Sequence, residues 1–209
     1  MSRMSMIIRA LLPALLLAAA NTCPAAGALP DDAAFRTMLQ SSFQDKGGVT
    51  VASILQQDAV QKLCSRPRSE VPAAEAERVQ AEQAAQVVYP ADGKYLGDWR
   101  EGEKIAQNGR GLQFSDDPKE PNGGNCYACH QLNPKEAAYG TLGPSLTGYG
   151  RLRGTSPEIL KYTWTRIYNT QAINVCSMMP RFGHQRILTE QQLRDVMALL
   201  LDPASPVNQ

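Results

Sequence analysis

The sequence predicts an all-α protein, and three observations carry that prediction. The last periodic segment opens on a capping box, Thr189 with Gln192. It then keeps Leu193, Val196, Met197, Leu200 and Leu201 at i, i+3, i+4, i+7, i+8 spacing until Pro203 stops it. An earlier segment begins with Ser156 as N-cap, Pro157 at the first helical position and Glu158 against the helix dipole. A third places Tyr95, Trp99, Gly102 and Ala106 on one face with Ile105 alongside.

The chain opens on a leader. Arg3 and Arg9 flank an apolar, small-residue-rich run over residues 7–20, interrupted by Pro13, and Ala26-Gly27-Ala28 follows as an A-x-A-like cleavage site. The run is too short to span a bilayer and reads as a secretory signal peptide, residues 1–28, with a cut after Ala20 as the alternative. Cys23 invites a lipid anchor, but Asn21 and Thr22 before it are poor lipobox residues, so no membrane anchor is expected. Losing Arg3 and Arg9 leaves 19 basic against 20 acidic residues, a balance that suggests no nucleic-acid partner and no strong steering field.

Residues 29–94 read as a helical N-terminal extension. Val51, Ile54, Leu55, Ala59 and Leu63 suggest one amphipathic helix. Residues 73–88 are rich in alanine, glutamate and glutamine and favour a helix with little apolar face of its own. The extension is either a scaffold or a subunit-binding arm. Residues 95–209 form the second domain. Its first helix reaches a stop near Gly109, and Gly102 inside it costs about 1 kcal/mol against alanine, which a close helix crossing would explain. A polar loop with Asp116, Asp117, Lys119 and Glu120 leads to Gly123-Gly124.

Directly after those glycines stands Cys126-Tyr127-Ala128-Cys129-His130, a C-x-x-C-H attachment signal for a c-type haem. Residues three and four apart share a helical face, so both thiols and the imidazole address one ligand. Zinc would want further thiol or imidazole donors, and the chain has two histidines and no second C-x-x-C. A thioredoxin-like redox pair is the other reading of the spacing. Haem attachment fits the leader, since this chemistry takes place outside the bacterial cytoplasm. The expected location is the periplasm, as a soluble protein. Cys64 and Cys176 then remain, an economical disulfide in an oxidising compartment, with Cys176 as a reactive thiol near the haem as its rival.

Histidine ligation by His130 leaves one axial position. Met178, Met179, His184 and Met197 lie downstream. Proline after Met179 stiffens its loop and favours it as the ligand, while Met197 belongs to the apolar stripe. His184, Met178 and an open site are the alternatives, and bis-histidine ligation would lower the potential. Pro144 in the Gly143-Pro144-Ser145-Leu146 segment is expected to offer a carbonyl to Nδ1–H of His130, fixing its tautomer, with an ordinary Gly-Pro turn as the alternative. The segment 157–169 supplies a face of Ile159, Tyr162, Thr163 and Ile167.

Helix, C-x-x-C-H, Gly-Pro loop, helix, Met-Pro loop and terminal helix together resemble a class I cytochrome c over residues 95–202. The resemblance implies that fold, preceded here by the helical extension, with first and last helices crossing near Gly102 and one covalent haem c held by Cys126 and Cys129. His130 and Met179 would be the axial ligands. The wording Gly140-Thr141-Leu142-Gly143-Pro144-Ser145-Leu146-Thr147-Gly148-Tyr149-Gly150, Ile167-Tyr168-Asn169, Met179-Pro180-Arg181-Phe182-Gly183 and Leu188-Thr189 is similar to the SoxX family. So is the closing Leu201-Asp202-Pro203-Ala204-Ser205-Pro206-Val207-Asn208. These are the small cytochrome subunits of SoxAX complexes of bacterial thiosulfate oxidation, L-cysteine S-thiosulfotransferases that join thiosulfate to a cysteine of the SoxYZ carrier. The resemblance implies a SoxA partner that holds the sulfur-handling cysteine, transient contact with SoxYZ and a downstream acceptor cytochrome. It implies no catalytic acid, base or nucleophile on this chain. A free-standing electron carrier and a peroxidase-like enzyme with an open haem site are the rival functions.

Overall fold

The computed structural model describes residues 32–46, 49–111, 113 and 115–209; these form eight α-helices joined by loops and short 3-10 turns, with no β-sheet among them. The expected leader, residues 1–28, and Cys23 within it lie outside the described residues. The chain divides into two compact units after Ser42: α1 (Asp32–Ser42) belongs to the first, and residues 43–209 form the second. The second holds α2 (Val51–Leu55), α3 (Ala59–Cys64), α4 (Ala73–Ala85), α5 (Trp99–Gln107), α6 (Tyr149–Arg153), α7 (Pro157–Tyr168) and α8 (Glu190–Leu201).

Its core is the crossing of α5 and α8. A Cβ on Gly102 would lie 2.7 Å from the carbonyl carbon of Asp195, so only glycine lets the two backbones approach. The approach is fixed by Gly97 N–H donating to Arg194 O at 2.9 Å and by Asp98 N–H donating to Asp195 Oδ1 at 2.9 Å. The capping box at Thr189 and Gln192 forms as expected. The whole predicted stripe of α8 is buried, and Ala198 and Leu199 are buried too, because α5, α6 and α7 all pack against this helix. Met197 is fully enclosed in that packing.

Three local expectations shift. The helix expected from Tyr95 starts at Trp99, where Asp98 caps it by accepting from Arg100 N–H at 2.8 Å. Tyr95 instead meets the Trp164 ring edge-on, at 5.6 Å between centroids. On α7 the buried residues are Thr163, Trp164, Thr165 and Ile167, while Tyr162 faces outward beneath the guanidinium groups of Arg153 and Arg166. The extension explains the difference: Val88 O accepts from Trp164 Nε1–H at 2.9 Å and covers that flank. The single helix expected over residues 51–63 is two, α2 and α3, because Asp58 caps a fresh start with its own capping box.

The extension is fastened to the rest of its unit. Cys64 and Cys176 form the expected disulfide, so Cys176 is no free thiol. Val60, Leu63 and Val79 make a small second core against Val71 and Val175. Helix α4, as anticipated, buries little of its own surface, only Val79 and Gln83. It lies against the 3-10 turn Thr170–Ala172 that follows α7.

Candidate haem site

The C-x-x-C-H segment is a single tight turn, with a 3-10 turn over Cys126–Ala128 and His130 N–H donating to Cys126 O at 2.9 Å. It is docked on the end of α5: Gly124 N–H donates to Ile105 O at 2.8 Å and Asn125 N–H to Asn108 O at 3.0 Å. Asn125 takes the left-handed conformation, φ 47°, to turn the chain into the motif. Tyr127, between the two cysteines, points inward and is buried. Its hydroxyl donates to Glu103 Oε1 at 3.0 Å and accepts from Asn133 N–H at 3.3 Å. Burial pushes the Glu103 carboxyl up against that bond, and burial with the nearby Glu103 charge pushes the Tyr127 phenol up. The sequence does not single out this pair; the phase of a helical turn sets Tyr127 opposite the reactive face but says nothing of Glu103.

The loop after the motif doubles back along it. Gly140 N–H donates to Tyr127 O at 2.8 Å, Gly143 N–H to Cys129 O at 2.8 Å and Leu146 N–H to Gln131 O at 2.7 Å. This register brings Pro144 O to 2.7 Å from His130 Nδ1. With Nδ1–H donating there, Nε2 keeps its lone pair free for a metal. Gly143 makes the contact possible, since a Cβ on it would lie 2.5 Å from Nδ1 of the ring.

His130 and Met179 line one cleft, together with Cys126 and the side chains of Leu132, Leu146, Ile167, Phe182, Leu188, Val196 and Leu200. Val196 and Leu200, read from sequence as core stripe, are also walls of this cleft. Burial pushes the Cys126 thiol up to about 12, leaving an uncharged sulfur at the wall. Cys126 and Cys129 both stand outside the disulfide. Met179 is partly buried and its N–H donates to Ser177 Oγ at 3.3 Å. Met178 next to it is 98 % exposed. His184 lines no part of the cleft; its N–H donates to Tyr168 O at 3.0 Å. Burial, then the Arg181 charge, lower the His184 imidazole against the opposing pull of Asp58.

These residues fit a haem c. The walls are apolar, Cys126 and Cys129 stand three apart in the attachment spacing, and the Pro144 carbonyl at Nδ1 holds the His130 ring with Nε2 available to a metal. No helix among the described residues is long and apolar enough to cross a membrane. Residues 99–202 match the family described as cytochrome c. The chain is also 41 % identical over 154 residues to a protein of Aquifex aeolicus (strain VF5) named as an uncharacterized lipoprotein, covering 73 % of each chain. The all-α architecture is that of a class I cytochrome c. The chain belongs to the cytochrome c family, whose members transfer electrons through a covalently attached haem c, here one.

Proposed function

We propose that this protein is the electron-transfer subunit of a SoxAX complex, with haem c bonded to Cys126 and Cys129 and ligated by His130 and Met179. The observation that carries the ligation is the meeting of the His130 imidazole and the Met179 side chain in one apolar cleft. Haem iron supplies reversible one-electron uptake and release. The Pro144 carbonyl at Nδ1 orients His130 so that Nε2 would face the iron, and the leucine, isoleucine, valine and phenylalanine walls keep water away. Thioether ligation by Met179 raises the potential and suits a terminal electron acceptor.

The assignment to SoxAX is supported by the SoxX-like wording, part of which lies around this cleft: Gly143-Pro144 on His130, Ile167, Met179, Phe182 and Leu188. In this reading thiosulfate and a SoxYZ thiol form one sulfur–sulfur bond at SoxA, releasing two electrons and a proton. This chain accepts the electrons singly and passes them to a soluble cytochrome. Residues 29–94 then form an extension to the haem domain, 95–209.

Two measurements test the reading. The oxidised protein is expected to have a methionine–iron band at about 695 nm that Met179→Ala abolishes. A band that survives the substitution assigns the ligand elsewhere. Purified at native expression, the chain is expected to bring a second cytochrome with it in a stable pair that thiosulfate reduces in the presence of SoxYZ. A lone monomer favours the free-standing carrier.

Export to the periplasm follows from the leader. The Aquifex relative's name favours a second reading of the N-terminus, with a lipid carried on Cys23. The intact mass of the mature protein separates an acylated start at Cys23 from a cut after Ala20 or Ala28.

A further inference from the structure

The extension grips the loop carrying Met179 on both of its sides. Upstream, Cys176 is bonded to Cys64 at the end of α3, and Val175 beside it packs into the cluster of Val60, Leu63 and Val79. Downstream, the Arg181 side chain is 4 % exposed. Its Nη2–H donates to Asp58 Oδ2 at 2.6 Å and its Nη1–H to Gln83 Oε1 at 3.4 Å. Gln83 Oε1 also accepts from the buried Asn169 at 3.0 Å, which ties the same group to the end of α7. Positions 176 and 181 are therefore both anchored in residues 58–83, and Met179 lies between them.

We infer that the extension is a brace for the methionine loop, and that Asp58, Arg181 and the Cys64–Cys176 bridge are positioning groups for the Met179 thioether. The inference rests on the reading of Met179 as an iron ligand. A thioether is neutral and weak, so its hold depends on how little freedom its loop gives up in binding. Fixing both flanks removes most of that cost in advance. The loop also cannot swing out without dragging a buried guanidinium from its carboxylate. The extension thereby gains a role in the redox site although none of its described residues lines the cleft.

Asp58 allows a clean test, because its two oxygens do different work. Oδ1 caps α3 by accepting from Gln61 N–H at 2.9 Å, and Oδ2 takes Arg181. Asparagine keeps the cap and loses the ion pair. The full-length, haem-loaded, oxidised protein is titrated with imidazole at pH 7, and loss of the band at about 695 nm is followed beside the Soret band and helical circular dichroism. Asp58→Asn is expected to strengthen apparent imidazole binding about tenfold or more, since Met179 leaves more readily, with helix content unchanged. Cys64→Ser/Cys176→Ser is expected to act in the same direction, and Asp58→Asn carries the test alone if that variant does not fold. Arg78→Ala, which removes an exposed pair with Glu82 on the same extension, is the control and leaves the affinity as in the wild type. Wild-type affinity in Asp58→Asn overturns the brace, as does a band lost only together with helix content. In both cases Met179→Ala still abolishes the band. If Met179→Ala keeps it, the ligand reading fails and the brace with it.

Discussion

At the residue scale the site is built on one imidazole and the glycine that lets a loop reach it. His130 would be free to rotate and to choose either tautomer were Pro144 O not 2.7 Å from Nδ1. That contact needs Gly143 to lie flat on the ring. Gly143→Ala must push either the ring or the loop away, and loss of such a supporting bond costs about 10- to 100-fold in metal affinity. The thioethers keep the haem attached, so the expected outcome is easier displacement of His130 from the iron, read as loss of the native Soret spectrum at a lower denaturant concentration than in the wild type. An unchanged midpoint would mean that the loop yields without releasing the histidine. The bond itself was legible in the sequence, because a proline carbonyl shortly after C-x-x-C-H is a local arrangement. The Tyr127–Glu103 pair was not, since it joins two segments that only the fold brings together.

At the element scale, caps and periodicity decided what could be read. α7 and α8 start where Ser156 and Thr189 place them, because an N-cap is a property of four consecutive residues. Thr189→Ala removes the acceptor for Gln192 N–H and is expected to cost about 1 kcal/mol, a fall of about 2–4 °C in Tm by calorimetry. No change would mean that burial of α8 alone sets its first turn. Which flank of α7 is buried was beyond the spacing, since Trp164 is covered by Val88 from 76 residues away. The break between α2 and α3 was misjudged for the opposite reason. Apolar positions kept their period across it, and the local capping chemistry of Asp58 won over that period.

At the scale of the whole molecule, the extension and the cytochrome core within residues 43–209 act as one body, joined by a disulfide, a buried polar cluster and a covered tryptophan. None of these joins was readable beyond the pairing of leftover cysteines, because each links residues far apart in sequence. The ion pair in the cluster makes stability respond to acid. Burial raises the Asp58 carboxyl, but the Gln61 N–H and the Arg181 guanidinium outweigh it, and His184 adds to them, so its pKa lies below the ordinary 3.8. A lowered carboxyl stabilises the fold fully above its unfolded pKa and loses that contribution as pH falls through the folded value. The stability gap between wild type and Asp58→Asn, measured by chemical denaturation, is therefore expected to be present at neutral pH and to close below about 4. A gap that persists in strong acid would assign it to something other than this charge. The bridge carries a different consequence, one of timing. Cys64 comes first in the chain, Cys126 and Cys129 next and Cys176 last, so during synthesis the wrong partners exist before the right one. Thioether formation takes the middle two sulfurs out of circulation and serves the chain as a protecting group. Haem supply and oxidative folding are thus successive steps of one maturation, and a shortage of haem would be recorded in the protein as mispaired sulfur.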